Sequence, residues 1–483
     1  MPARTSDWLF PALLIAGFIT TMRIIAIHFS QADIFVDEAQ YWLWGQNLDL
    51  GYYSKPPLAA WVIRATTELA GSNSPFWIRF PAPVFHGLTG LILAAIAARL
   101  HSRKAAIWTA VTYLTLPLVS VGSSLISTDT ILAPFFALGL LFYLRLVDGG
   151  HVGHALLAGL AIGLAFMAKY AGVYFLLCAA LAAVFSPRFR VSLPNTAVFL
   201  LSFALVISPN IYWNITHDLT TVEHTLDNAQ WVRGASEGIS LNFVGLGEFV
   251  LSQFLAAGPF FFATLLFLPF ARRRPQPAGL LLFVLPIIAL VCVQALLSRA
   301  LANWAFTAYL AGSVVAVIWL VEAKTRWLWL SLVVNGTVAI ALPLMTTQAE
   351  GLYLGRDQPV MARYLGRDEI SREILDLADT YPGAAIVSAN RDLLADLMLT
   401  GHDRNALILS VPPNGRAKNY YQQTYPLKPH SAPVALFVTT KPQVTCTTGS
   451  AREIAQLNTD LTAYARKTLR VFRVSGACLR DLK

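Results

Sequence analysis

An all-α protein that crosses a membrane many times, with a small α/β domain at its C-terminal end, is the fold class this sequence predicts. Three observations predict it. Of 483 residues, 56% are hydrophobic and only 13% are charged, against about 25% charged in soluble proteins, so the apolar excess must face lipid. The apolar residues gather into about eleven stretches, each near the length that crosses about 30 Å of hydrocarbon. That pattern stops near residue 347, and the rest reads as short helices and strands between Pro and Gly turns. The chain therefore divides into a membrane domain, 1–347, holding a long first outer loop at 30–79, and a tail domain, 348–483.

The N-terminus is basic (Arg4), and the first apolar run, Leu9 to Phe29, is interrupted by Arg23. No small-residue cleavage site follows, so this run is an uncleaved span and not a signal peptide. Further spans are expected at 80–100, 105–122, 131–147, 154–168, 170–185, 195–213, 246–270, 278–297, 304–321 and 327–345. The pair at 154–185 is short and tightly joined. Basic residues occupy alternate joins: Arg103 and Lys104, Arg188 and Arg190, Arg272 to Arg274, and Lys324 with Arg326. The opposite joins, 33–61, 122–130, 214–243 and 298–302, are longer or more acidic. The positive-inside rule then places the N-terminus in the cytoplasm. An odd number of crossings sends the tail outward, to the periplasm of a Gram-negative cell.

This clustering also accounts for the net charge of +9 without a nucleic-acid partner, since no basic helix or aromatic RNA-binding strand is present. Within the tail, 371–380 has the pattern of an amphipathic helix, and 384–388 and 434–439 that of buried strands. Cys178 and Cys292 fall in apolar spans, where cysteine acts as a small hydrophobe. Cys446 and Cys478 fall in the tail, where an oxidising compartment would allow a disulfide between them. There is no internal repeat.

The chemistry concentrates in Asp33–Trp61, DIFVDEAQYWLWGQNLDLGYYSKPPLAAW. A loop joining two spans needs none of it. Asp37 and Glu38 are candidates for taking a hydroxyl proton, or charges at the start of a helix formed by the residues after them. Tyr41, Tyr52 and Tyr53 supply an aromatic surface. Lys55, rigidly presented by Pro56 and Pro57, suits a phosphate leaving group, or snorkels at the interface. Asp129, at the outer end of a span, would face a polar cavity, because a charge in hydrocarbon is expensive; its alternative is a helix cap. Lys169 with Tyr170, and Arg299 with Asn303 and Trp304, form two more outer-edge clusters suited to a lipid phosphate, or in the case of Lys169 equally to snorkelling at the interface, with Arg299 favoured by its planar fork. His217, Asp218, Glu223 and His224 match no standard metal spacing, so a divalent metal is not indicated and no cofactor is implied. Asn214-Ile215-Thr216 fits a glycosylation sequon. There is no P-loop, GxGxxG or nucleophile elbow.

Taken in order, the outer-loop Asp37-Glu38 followed by aromatics, the Gly51-Tyr52-Tyr53-Ser54-Lys55-Pro56-Pro57-Leu58 element, Asp129 at the start of the fourth span, and an outer tail resemble a known family. It is the bacterial branch of the protein O-mannosyltransferase clan, membrane glycosyltransferases of the GT-C fold. The lipid A aminoarabinose transferase and the rhizobial galacturonosyltransferases of lipopolysaccharide fall in the same group. The resemblance is specific mainly over Phe35–Trp61. It implies a sugar donor on a polyprenyl phosphate and an acceptor at the outer face of the inner membrane. It makes Asp37 the base, Lys55 the holder of the lipid phosphate and Asp129 a second acid of the cavity. Ser54 stands where the aminoarabinose transferase has glutamate, which weakens that donor assignment.

A lipid-linked sugar transporter is the rival from another class. Transporters commonly show repeated halves with broken helices at the midplane, whereas the acids here cluster in loops at one face. A non-catalytic assembly partner would not need Asp37, Lys55 and Asp129 together. The expected function is a polyprenyl-phosphate-dependent, inverting glycosyltransferase acting on an outer-leaflet glycolipid such as lipid A or lipopolysaccharide core. A protein hydroxyl is the alternative acceptor.

Overall fold

In the computed structural model, which describes residues 7–228, 241–272, 275–355, 357–428, 431–460, 462–465 and 467–481, most of the chain is helical. Arg273 and Arg274 lie outside the described residues, as does most of the stretch between residues 228 and 241. The chain folds as two compact units. One comprises Met1–His28, Asp49–Val62 and Arg79–Leu344, and the other Phe29–Leu48, Ile63–Ile78 and Met345–Lys483. The first outer loop, assigned above wholly to the membrane domain, is therefore divided between them.

In the first unit, every apolar stretch expected from the sequence is helical, but not all are single rods. Among the described residues six helices are long and apolar enough to cross a membrane: Leu9–His28, Pro75–Leu100, Thr128–Gly149, Leu193–Thr216, Pro277–Leu297 and Thr325–Thr347. Two stretches read as single spans are bent, by 61° between Arg103–Thr115 and Pro117–Ser124 and by 118° between Phe243–Ala256 and Pro259–Phe270. The sharper break sits at Gly258, with φ +86°, followed by a proline that cannot donate to the preceding turn. The Asn335 amide donates to the Ala257 carbonyl at 3.1 Å, satisfying a group the break would leave bare. Three shorter apolar helices, Val152–Ala168, Tyr170–Phe185 and Ala308–Ala323, complete the set.

Phe10, Leu14 and Phe18 on the first helix remain exposed, an outward apolar face suited to lipid. Arg23, on the opposite side, is buried and bonds the Ser123 hydroxyl at 2.9 Å and the Leu114 carbonyl, beside the bend at Leu116-Pro117. Gly159 and Gly163, one turn apart, let the Val152–Ala168 helix lie directly on Leu193–Thr216. A Cβ at Gly159 would meet the Phe199 carbonyl, and one at Gly163 would come within 2.6 Å of Val206. Small residues at that spacing allow close helix approach where hydrophobic exclusion gives no drive.

The second unit is built on a five-stranded sheet of order β2-β1-β3-β5-β4. The strands are β1 (Ala385–Ser388), β2 (Ile408–Ser410), β3 (Val434–Thr439), β4 (Ala451–Leu457) and β5 (Leu469–Ser475). β1 runs parallel to β2 and β3, while β5 is antiparallel to β3 and β4. Central β1 is buried at all four positions, as a parallel strand covered on both faces should be. Helices Arg367–Asp379 and Arg391–Thr400 bury Ile370, Ile374, Leu393, Leu394 and Leu397. Cys446 and Cys478 form a disulfide, Cα–Cα 5.2 Å.

The outer-loop helix Val36–Gln46 is part of this same unit. Trp42 and Trp44 are almost fully buried; Trp42 packs edge-on to His402 and Trp44 edge-on to Tyr420, with ring centroids 5.4 and 5.8 Å apart. Two indoles that would be costly to expose explain why this loop folds with the tail.

Candidate active site

Asp129 lies in the first turn of Thr128–Gly149, where the Ser127 hydroxyl caps the helix by accepting from Thr130 N. Its carboxylate is surrounded by donors. Lys169 Nζ reaches both oxygens at 2.7 and 2.8 Å, and Asn303 Nδ2 reaches Oδ2 at 2.7 Å. The Asp129 side chain is only 13% exposed and that of Lys169 15%. Three residues from three different apolar stretches, each singled out in the sequence, thus meet as one ion-pair cluster.

Beside this cluster is a cavity of about 380 Å³ whose wall includes Lys55, Lys169, Tyr170 and Trp304 at its polar part and Leu290, Val293 and Leu297 elsewhere. Most of its surface is apolar. Two ammonium groups in the wall of an apolar cleft suit an amphiphile with an anionic head. Lys55 reaches the wall because its loop is tied down. Asn210 donates to the Leu50 carbonyl at 2.9 Å, and Thr221 to the Tyr52 carbonyl at 2.8 Å. Gly51 is required there: a Cβ would lie 2.6 Å from the Trp213 ring. Tyr170 donates to Asn210 at 3.1 Å, linking the cavity wall to the same anchor.

Other candidates are placed differently. Tyr52 and Tyr53 are buried, the Tyr52 hydroxyl accepting from Asp49 N at 3.0 Å and the Tyr53 ring packing 4.9 Å from His224. They support the loop and do not line the cavity. Arg299 is exposed and is not among the lining residues. His217 stacks on Trp213 with centroids 4.2 Å apart. Among the described residues no group of three or more His, Cys, Asp or Glu is arranged to hold a metal. Asn214 is buried inside a helix, its amide donating to the Asn210 carbonyl, so the sequon is closed to modification in the folded chain.

In the second unit, Asp37 and Glu38 occupy the first turn of Val36–Gln46. Glu38 is 2% exposed and accepts from Phe35 N at 2.9 Å. It caps the helix from a buried position, unlike its neighbour Asp37. Tyr41 is likewise buried, against Trp44. Asp37 is open: its side chain is 50% exposed, and Arg391 Nη2 donates to Oδ1 at 2.5 Å. Arg391 Nε also donates to Gln40 Oε1 at 3.1 Å. Burial works to lower the Arg391 pKa, and the charge and hydrogen bond of Asp37, with Tyr421 and Asp392 nearby, together outweigh it and leave the pKa above its ordinary value. Sequence reasoning missed Arg391. It stands 354 residues from Asp37, in a stretch that reads only as a capped helix start.

Three comparisons bear on this arrangement. A family model described as dolichyl-phosphate-mannose-protein mannosyltransferase matches residues 54–213. The chain is 40% identical over 472 residues to lipid A galacturonosyltransferase RgtD of Rhizobium johnstonii, covering 97% of this chain and 98% of that one. Among solved structures, ArnT from Cupriavidus metallidurans in the apo state is similar with TM-score 0.60 at 14% identity, over 98% of this chain and 99% of that one. The same protein bound to undecaprenyl phosphate gives 0.61 at 13% identity, over 97% and 98%. At such identities the structural likeness speaks for the fold.

Proposed function

Because this chain belongs to the GT-C membrane glycosyltransferases, in the clan of the protein O-mannosyltransferases and the lipid A sugar transferases, we propose that it moves a sugar from a polyprenyl-phosphate carrier to a glycolipid, lipid A or lipopolysaccharide core. The relative's activity makes galacturonic acid the first sugar to test. The observation that carries the reading is the mostly apolar cavity whose wall includes both Lys55 and Lys169. A donor that is half lipid and half sugar phosphate needs such a place, and the ArnT relative was solved with undecaprenyl phosphate.

In the reaction, an acceptor hydroxyl oxygen attacks the anomeric carbon and the bond from that carbon to the phosphate oxygen breaks. The electron pair leaves on the polyprenyl phosphate, and the hydroxyl proton goes to Asp37. Lys55 and Lys169 meet the charge that grows on the phosphate. Asp129 and Asn303 hold Lys169 in place for this. Attack by one oxygen inverts the anomeric centre. We read all eleven apolar elements as crossings, with the tail unit in the periplasm of a bacterial inner membrane.

Mass spectrometry of lipid A, core and surface glycans tests the proposal. Cells lacking the protein are compared with cells restored by the native chain or by Asp37→Asn. One sugar missing without the native chain, and still missing with the variant, names donor and acceptor together. Unchanged glycolipids overturn the glycolipid reading; a change confined to secreted glycoproteins would favour a protein acceptor instead.

A further inference from the structure

We propose that Arg391 is a positioning residue for Asp37, so that a residue of the tail orients the base; this rests on the reading of Asp37 as the base. An aspartate has two side-chain torsions, and a half-exposed one samples several rotamers unless something holds it. Arg391 supplies the hold. Its guanidinium spans Asp37 and Gln40, three residues apart and hence on one face of the helix, through Nη2 to Oδ1 and Nε to Oε1. Gln40 is 3% exposed, so the second contact is fixed. Fixing Oδ1 leaves Asp37 Oδ2, which has no hydrogen-bond partner among the described residues, as the oxygen available to an acceptor hydroxyl.

Arg391 is itself rigidly mounted. It is the first residue of its helix, directly after the Asn390 cap, whose side chain accepts from Asp392 N. Asn390 N in turn donates to the Ser388 hydroxyl at the end of β1. Ser388 is anchored across the sheet to the Val438 carbonyl at 2.9 Å. Arg391 therefore stands at the carboxyl end of a central parallel strand, where α/β sheets commonly place ligand-facing groups.

The bond is not needed to dock the Asp37 helix, which is anchored elsewhere. The Phe35 ring lies under the Arg363 and Arg367 guanidinium groups at 4.6 and 5.4 Å. Asp33 N donates to the Tyr364 carbonyl, and Asp33 Oδ2 accepts from Arg367 N, each at 2.8 Å. The Trp42 indole donates to Asn73 at 2.9 Å. With docking secured by these contacts, the contact to Asp37 has orientation left as its role. Misplacing a reacting group by about 1 Å costs about 10²-fold in rate.

The test uses washed membranes of cells lacking the native protein, which carry their own donor and acceptor, supplemented with the full chain or its variants. Transfer is followed by mass spectrometry, with added guanidinium chloride as probe. Arg391→Ala should slow transfer about 10²-fold with the concentration of donor needed for half-maximal rate unchanged. Millimolar guanidinium should restore part of the rate, and Arg391→Lys should retain part of it. Thermal unfolding of each purified variant separates misfolding from misplacement, and Arg391→Lys keeps the idea testable if the alanine variant does not fold. Full activity in Arg391→Ala, or loss that neither guanidinium nor lysine repairs in a folded variant, overturns the proposal with the function standing. No transfer by the native chain overturns both.

Discussion

Asp37 and Asp129 are both aspartates in the first turn of a helix, and both were marked for chemistry, yet their surroundings are opposite. Asp129 is nearly closed from solvent, with Lys169 and Asn303 on its oxygens. Asp37 is half open and held from one side by a single guanidinium. A carboxylate with donors on both oxygens is a poor proton acceptor but a good clamp for a cation. One held by one oxygen can receive a proton on the other. The difference supports the proposed reacting role of Asp37 and the proposed supporting role of Asp129.

The largest expected effect tests the open acid. Asp37→Asn should lower transfer about 10²–10⁴-fold while leaving donor binding and thermal unfolding as in the native chain. Transfer at the native rate would remove Asp37 as base. Asp129→Ala should act through stability instead. Breaking a buried pair and stranding its lysine costs about 3 kcal/mol, to be read as a lowered unfolding temperature in detergent. An unfolding temperature and a transfer rate both equal to those of the native chain would remove Asp129 as the clamp on Lys169. Lys55→Ala should weaken binding of undecaprenyl phosphate about tenfold to a hundredfold, the usual contribution of a charge-assisted bond. Unchanged binding would take the phosphate away from the cavity.

A third acid, Asp396, provides the smallest effect and a control. It is buried beside Arg367 and Tyr464, bonded at 2.9 and 2.5 Å. Burial pushes its carboxyl up from 3.8 to about 6, against the pull of Arg367 and Tyr464. A folded value above the unfolded one favours the protonated form, so its contribution to stability is full below pH 3.8 and is lost as the pH rises through about 6. Asp396→Asn, which does not titrate, should flatten the fall in unfolding temperature across that window. An unchanged slope would assign the pH dependence to another group.

The apolar helices were legible because lipid imposes a composition that few soluble sequences share, and the meeting of Asp129, Lys169 and Asn303 and the place of Lys55 in the cavity wall because charge and amide near an apolar run need a reason. The breaks at Leu116-Pro117 and Gly258-Pro259 were not read, since hydropathy averages over them although each carries a proline. Glu38 and Asp37 are neighbours with the same chemistry in sequence; only the helix start decides that one caps and the other opens. In the tail, β1 and β3 were visible as continuous apolar runs. β4, an exposed edge, and β5, interrupted by Arg470 and Arg473, were not. Arg391 could not be found because its partner is set by tertiary packing alone.

The folding of the first outer loop with the tail has a consequence in time. The chain is made from its N-terminus, so Asp37 emerges long before Arg391. At about 5–20 residues per second, the 354 residues between them take roughly 20–70 s. During that interval Trp42 and Trp44 lack the rings of His402 and Tyr420 that later cover them. Any chain released early ends as a membrane bundle with its first loop unfinished. Assembly of the acid with its guanidinium is thus a late event in the making of each molecule.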